Sequence, residues 1–416
     1  MRINQSPGES GFDVIVKGPD SSPHINMLRH LVVPDREIEG VLSMLREEGW
    51  VGLGFLIVPS SAEGFRLVPI DEAAPAILPL PLGSYEIEER EGVPDKRRLA
   101  DWLSHLEDLI GKELVLEKGD SWPSSHEFVS DMMIVRVDDE VVGHVSEIAE
   151  AKLRSHPHIR LILNDEGVQG ELRVRRLTPI GARDGDTIFL SKIPSRLCHT
   201  RALVRESGIR ITCDPARAFY STKLQTERVE TVALAKKLRE MLGRPIRVFD
   251  PFCGVGPAIG ALLNEPGLLG RLAASDLNPD AVEMLMENLS RWDNRDYPKK
   301  IVPLQRIYDD RLAGISDATK LRNAPNLVGK WDLVLGHLPH RTIELLPEII
   351  PLLDLDTPSL IRGRVVVPEE EIAKVNRELV RILPSLLEGE PLPSLQVKRD
   401  YSSSLRLCSF EAWIGP

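Results

Sequence analysis

The pattern of apolar and polar positions predicts a regular strand–helix alternation over the second half of the chain and smaller mixed units before it. Ile246, Val248 and Phe249 form a short apolar run that ends at Asp250. A turn of small residues follows, with Cys253, Gly254, Gly256 and Pro257, then a helix-compatible run, then a second apolar patch that ends at Asp276. Strand, glycine turn, helix, strand, acid is the order of a nucleotide-binding βαβ unit. The segment AFYSTKLQTERVETVALAKKLREML (218–242) predicts a helix feeding the first strand, capped by Ser221 or Thr226. RIYDDRLAG (306–314) predicts a third strand whose tip carries Asp309 and Asp310. WDLVLGHLPHRTIELL (331–346) predicts a fourth strand, a Pro-broken turn and a helix, and SLQVKRDYSSSLRLCSFEAWIGP a β-hairpin that closes the sheet.

Upstream the periods are shorter. REIEGVLSMLREEGW is an amphipathic helix with Ile38, Val41, Leu42 and Leu45 on one face. GFLIVPS and GFRLVPI read as two strands, and APAILPLPLG (74–83) as a linker. Beyond it, LADWLSHLEDLIG and EIAEAKL predict helices, and DMMIVRV, IRLILND, GELRVRRL and DTIFLS predict strands. The organisation expected is a flexible lead (1–25), a small α+β domain (26–82), a middle α+β domain (83–215) and an α/β catalytic domain (216–416).

Length alone, 416 residues, suggests two or three domains. The formal net charge of −11 means that any nucleic-acid contact must come from a local patch. Residues 151–212 supply one: 12 Lys/Arg against 6 Asp/Glu, a local +6. Arg173, Arg175 and Arg176 share one strand, and Arg196, Arg201, Arg205 and Arg210 follow. Such a cluster is either a solvated sheet face or a contact surface for a phosphate backbone. Residues 1–82 carry 6 Lys/Arg against 11 Asp/Glu and are a poor phosphate binder. Four cysteines (Cys198, Cys213, Cys253, Cys408) have no CxxC spacing, which argues against a zinc site or disulfide framework and fits a reducing cytosol. No run of 18 apolar residues and no signal-peptide core are present, so a cytoplasmic protein without membrane or metal is expected.

The chemistry gathers on the βαβ unit. Gly254 and Gly256 let the chain turn sharply and a ligand approach the backbone. Asp276, 26 positions after Asp250, ends the second strand, where a carboxylate can accept both ribose hydroxyls. Ile259 stands where GxGxxG has its third glycine, which disfavours a pyrophosphate. Ligands of open α/β sheets bind outside the carboxyl ends of the strands, so DPFCGVGP, DLNP, YDDR and GHLPHR should ring one crevice. Asp309 or Asp310 would reach an adenine amino group or ribose edge, and His337, Pro339 and His340 would meet the acceptor. Asp309, Asp310, Glu227, Glu230 and His337 are all candidates for a general base, and the sequence does not rank them.

DPFCGVGP followed by SDLNPDAVEMLMEN resembles the first two motifs of class I S-adenosylmethionine (AdoMet) enzymes. With CDPARAFYSTKLQTER, LVLGHLPH and the segment EIAEAKL…PHIRLILNDEGVQGELRVRRL, the chain resembles the tRNA guanine-37 N1-methyltransferases and the wybutosine-pathway aminocarboxypropyl transferases that share their fold. The resemblance implies a class I methyltransferase Rossmann-like sheet behind two smaller α+β domains, with AdoMet as cofactor and tRNA as partner of a monomeric enzyme. It implies that Asp276 and Leu277 hold ribose and adenine, that Gly254 and Gly256 form the methionine-side turn flanked by Asp250, Phe252 and Asn278, and that Arg228 approaches the cofactor. It puts Asp310, with Asp309, on the adenine side and His337 toward both cofactor and target base, and draws Lys223, Glu227 and Pro339 into catalysis. Arg173, Arg175, Arg176, Arg196 and Arg201 become RNA contacts. Two positions depart from the methyltransferases: Lys223 replaces an arginine and His337 an asparagine. The expected activity is methylation of N1 of guanosine 37. The alternatives are aminocarboxypropyl transfer to a modified guanosine and a tRNA-binding homologue with impaired catalysis.

Overall fold

The computed structural model describes residues 16–17, 27–52, 55–71, 73–93, 101–402 and 404–416. The lead expected over residues 1–25 lies outside these, apart from residues 16–17. The chain forms two compact units: residues 1–124, 137–162 and 179–198, and residues 125–136, 163–178 and 199–416. The stretch expected as a middle domain is thus divided between them.

In the first unit, Met27–Pro34 pairs antiparallel with Phe65–Pro69 on one side and Glu86–Glu91 on the other. Helix Ile38–Glu47 buries Val41 and Leu45 with Leu31, Val33 and Val68. The expected linker is instead part of this core: Ala74, Leu78 and Leu82 are buried in it, so its prolines punctuate a packed segment rather than a free one. The last strand, Glu86–Glu91, lies beyond the boundary expected at residue 82.

The second unit is built on an eight-stranded sheet. Its strands are β1 (Ile246–Asp250), β2 (Leu269–Asp276), β3 (Gln305–Tyr308), β4 (Arg311–Ile315), β5 (Leu333–Gly336), β6 (Ser359–Pro368), β7 (Gln396–Asp400) and β8 (Leu405–Ile414). They lie in the order β3-β4-β2-β1-β5-β6-β8-β7. The strands β4, β2, β1, β5 and β6 are parallel, β3 pairs antiparallel with β4, and β8 pairs antiparallel with both β6 and β7. The order turns back at β1: the chain goes outward through β2 and then returns to β5 on the other side. That switch point opens a crevice at the carboxyl ends of β1 and β5. Helices α1 (Gln225–Leu242), α2 (Pro257–Leu263), α3 (Pro279–Asp293), α4 (Thr342–Ile349) and α5 (Ile372–Ile382) complete the unit. Two apolar clusters fill it, one around Phe249, Trp331 and Phe410, the other around Val248, Leu272, Leu285 and Trp413. At the opposite, amino ends of β1 and β5, the fully buried Asp332 accepts hydrogen bonds from Arg244 (2.7 and 2.9 Å) and from the backbone and side chain of Arg247.

Candidate active site

The glycine turn after β1 is fixed from within the fold. Gly254 and Gly256 both have positive φ, 56° and 84°. A Cβ on Gly256 would lie 2.6 Å from Leu285 Cδ1 and 3.2 Å from the Trp292 ring, so α3 needs a glycine there. Gly256 thus serves packing and does not line the cavity, against expectation. Asp276, at the end of β2, accepts the Gly254 N–H at 2.8 Å and the Asn278 N–H at 2.9 Å. Asn278 caps α3 by accepting from Asp280 N at 2.9 Å and donates to the Arg217 carbonyl at 2.8 Å. One carboxylate therefore locks the turn to the acid motif and still has lone pairs for a ligand.

A cavity of about 300 Å³ opens at the switch point. Asp250, Phe252, Cys253, Gly254, Asp276, Leu277 and Asn278 line it from the first two strands. Ser316 and Asp317 line it from the end of β4, and His337, Pro339 and His340 from the end of β5. Arg228 from α1 and Arg364 from β6 complete the inner wall, with Arg173, Arg399 and Tyr401 also lining the cavity. Burial raises the carboxyls of Asp250 and Asp276; Asp250 reaches about 7, with the Asp276 charge adding to burial. His337 is held well below 6.5, first by burial and then by Arg364, Arg362 and Arg228, so its imidazole is neutral. Its Nδ1 stands 3.8 Å from Asp250 Oδ2, and its Nε2 is buried without a hydrogen-bond partner.

Two expectations are corrected. Asp309 and Asp310 do not reach the cavity. RIYDDRLAG is a hairpin, not one strand, and its two acids sit at the turn before β4, at the far end of the sheet. The Asp309 side chain is fully exposed, and Asp310 pairs with Arg295 and Arg311 at 2.7 and 2.8 Å. The acid at the ligand end of β4 is Asp317, which sequence reading missed although it stands two positions after the run Leu312–Ile315. Arg175 is not an RNA contact: its side chain is 10% exposed, 3.0 Å from Glu127 and stacked 4.9 Å above Phe219. Pro339 lines the cavity, and its carbonyl accepts the Val366 N–H at 2.9 Å.

Of the other expected catalytic residues, Lys223 points to Ser125 (3.3 Å) away from the cavity lining. Glu227 is buried between Arg362 (3.4 Å) and Arg364 (3.9 Å), and Glu230 is bound to Arg362 and Lys398 at 2.7 Å each. Arg228 lines the cavity but is anchored to Glu206 and to the Ser221 carbonyl at 2.9 Å. Among the basic candidates, Arg173 belongs to the cavity lining. Arg176 keeps an exposed head while pairing with Glu166 at 2.8 Å, Arg196 with Asp184 at 2.6 Å, and Arg201 pairs with Glu287 and Glu283. Exposed pairs of this kind are weak and exchangeable.

The glycine turn, the acids at the ends of β1, β2 and β4, and the histidine turn after β5 all lie within or beside a stretch that matches a protein family. The model of the TRM5/TYW2 methyltransferase domain matches residues 202–302. Over 168 residues the chain is 29% identical to tRNA (guanine(37)-N(1))-methyltransferase Trm5b of Pyrococcus abyssi, which covers 40% of this chain and 44% of that protein. The chain spans about half the length of the curated relatives it matches. The crystal structure of wild-type Trm5b from Pyrococcus abyssi superposes with a TM-score of 0.60 at 20% identity, covering 94% of this chain and all of that one. The structure of aTrm5 in complex with tRNALeu gives 0.58 at 19% identity over 93% of this chain and 99% of its own. These superpositions show a class I methyltransferase fold. The methyltransferase domain begins with the hairpin Ala202–Cys213, whose Thr212 exchanges hydrogen bonds with Asn288 of α3, and that hairpin had not been expected from the sequence. No helix among the described residues is long and apolar enough to cross a membrane.

Proposed function

We propose that this protein is an AdoMet-dependent tRNA methyltransferase acting on N1 of guanosine 37, in the cytoplasm and as a monomer. The observation that carries the reading is a cavity lined by the buried carboxylates Asp250 and Asp276 and by neutral His337 with Arg364, in a unit whose residues 202–302 match the TRM5/TYW2 methyltransferase domain. The residues present fit the cofactor. Asp250 and Asp276, pushed up by burial, are relieved by a ligand carrying positive charge, and Ser316 Oγ is a buried polar atom without a partner at the Asp317 side. Asp276 and Asp317 would hold hydroxyl and amino groups of the nucleoside, Phe252 and Leu277 would flank its apolar faces, and Asp250 would face the methionine amine. Bound there, AdoMet supplies an electrophilic methyl carbon on a sulfonium. The rest is positioning: the cavity holds acceptor and donor in line and excludes water. The target is a loop base that can be splayed from its neighbours. The small unit (26–82) and the region 83–215, with the exposed heads of Arg176, Arg196 and Arg201, are assigned to tRNA contacts.

Incubation of unmodified tRNA transcripts with AdoMet, followed by mass spectrometry of nucleosides, is expected to give 1-methylguanosine and S-adenosylhomocysteine. Replacement of guanosine 37 should abolish the product. Release of methylthioadenosine would overturn the reading in favour of aminocarboxypropyl transfer.

Asp250 sets a pH dependence. Its proton is held in the native protein from the ordinary value of 3.8 up to about 7. The stability it contributes is full below that ordinary value and is lost as pH rises through about 7. A cationic ligand binds the ionised form and drives that proton off. The groups facing Asp250 are Asp276, His337, Arg364, Cys253 and the Phe252 N–H. AdoMet affinity should therefore fall below pH 7, by up to about tenfold per unit, with proton release measurable by calorimetry in buffers of different ionisation enthalpy. Asp250→Asn should abolish both the proton release and the slope.

A further inference from the structure

Two polar groups that line the acceptor end of the cavity have hydrogen-bonding capacity left unused. Arg364, on β6, is 7% exposed and lines the cavity. Among the described residues its guanidinium donates no hydrogen bond, and the nearest carboxylate oxygen, Glu227 Oε2, lies 3.9 Å from Nε and is shared with Arg362. Burial and the neighbouring Arg228 bring this guanidinium down to about 10. The His337 side chain is also 7% exposed, and its Nε2 has no hydrogen-bond partner. A guanidinium only donates. A neutral imidazole has one donor and one acceptor nitrogen; with Nδ1–H turned to Asp250, Nε2 accepts. A buried guanidinium that donates no hydrogen bond and a buried acceptor without a partner are costly, so the wall is built for a ligand that completes both.

We propose that Arg364 and His337 together read a lactam edge, O=C–N–H, on the target base, and that His337 Nε2 receives the ring proton during transfer. This rests on the proposed function and names what that site recognises. The complement is specific by pattern: Arg364 donates to the carbonyl oxygen and His337 accepts from the adjacent N–H. An amidine edge, as in adenine, has an amine donor facing Arg364 and a ring-nitrogen acceptor facing His337 Nε2, and leaves both unpaired. In the transfer step the ring nitrogen bonds to the methyl carbon, the carbon–sulfur bond breaks with its electron pair going to sulfur, and the ring proton passes to Nε2. The imidazolium that forms keeps both ring protons and is balanced by the Asp250 carboxylate, 3.8 Å from Nδ1, while Arg364 meets the oxygen on which charge gathers as the N–H bond breaks. The other candidate bases are removed by position: Asp309 and Asp310 lie at the far end of β4, and Glu227 and Glu230 are held by arginine and lysine outside the cavity lining.

The test uses full-length protein and tRNA transcripts carrying guanosine, inosine, adenosine or 2-aminopurine at the target position. Inosine keeps the lactam edge without the 2-amino group; adenosine and 2-aminopurine lack it. Inosine should be methylated within about tenfold of guanosine in kcat/KM, and the other two about ten-thousandfold more slowly. Arg364→Met should lower kcat by about a hundredfold or more and leave AdoMet affinity, read by calorimetry, unchanged. The same variant should raise the thermal midpoint, since it removes a buried charge without a hydrogen bond; Arg364→Lys should recover part of kcat. Rejection of inosine overturns the proposal, as does an Arg364→Met enzyme with full kcat. Lost AdoMet affinity at full kcat would give Arg364 to a cofactor oxygen, and a lowered thermal midpoint would mark it as a structural ion-pair residue; both overturn it. Absence of methyl transfer to any transcript would overturn the proposed function as well, whereas transfer to guanosine that ignores Arg364→Met overturns this inference alone.

Discussion

Asp276→Asn is expected to weaken AdoMet binding by about a hundredfold or more, because the two charge-assisted hydrogen bonds proposed for it to the ribose hydroxyls would contribute about 3 kcal/mol together. The asparagine amide must also turn its NH₂ toward either the Gly254 or the Asn278 N–H, both of which now donate to the carboxylate. The turn then loosens at the point where it meets the ligand, at a cost in stability of about 1–2 kcal/mol. Calorimetry with AdoMet or S-adenosylhomocysteine measures the first effect, and denaturant unfolding the second. An unchanged dissociation constant would remove the cofactor from this crevice.

Asp332→Ala is expected to have the largest effect on stability, about 3–5 kcal/mol, although it lies at the end of the sheet away from the chemistry. The carboxylate is fully buried and joins the amino ends of β1 and β5 through Arg244 and Arg247. Removing it leaves two guanidinium groups and one backbone N–H short of their acceptor. These partners outweigh burial and hold Asp332 below its ordinary value. Its contribution is therefore present above that value and lost as pH falls through the lowered one. Unfolding curves of the two proteins should differ most near neutrality and converge in acid; equal stability at pH 7 would show that the arginines find other partners.

What was legible in the chain follows from where side chains point. The βαβ core showed itself because Val248, Phe249 and the Leu272–Ala274 run are continuous apolar strands bounded by an acid and a glycine turn, a pattern that parallel strands buried on both faces impose. The third acid was misplaced because a hairpin of Gln305–Tyr308 and Arg311–Ile315 reads locally as one strand, and only the parallel pairing of β4 with β2 shows which end carries the ligand. Arg364 was invisible for a different reason. In Ser359–Pro368 two arginines interrupt an apolar alternation, which in a lone sequence looks like a solvated edge; here the strand lies between β5 and β8 and buries both. Arg175 failed the other way: a cluster of like charges suggested a surface, but Glu127 and Phe219, distant in sequence, take one of its members inward. Charge in a sequence marks composition, and only tertiary pairing separates a contact surface from a packed ion pair.

The cavity also contains a sulfur nucleophile. Cys253 lies in its wall, 5% exposed, between the two buried carboxylates. A thiolate in that place would compete with the RNA for any alkylating cation the pocket receives, and one such event would inactivate the enzyme permanently. Burial pushes the Cys253 thiol well above its ordinary value, and the charges of Asp250 and Asp276 push it further. The carboxylates proposed to attract the cationic cofactor are thus the same groups that keep the neighbouring sulfur protonated, which would protect it against alkylation.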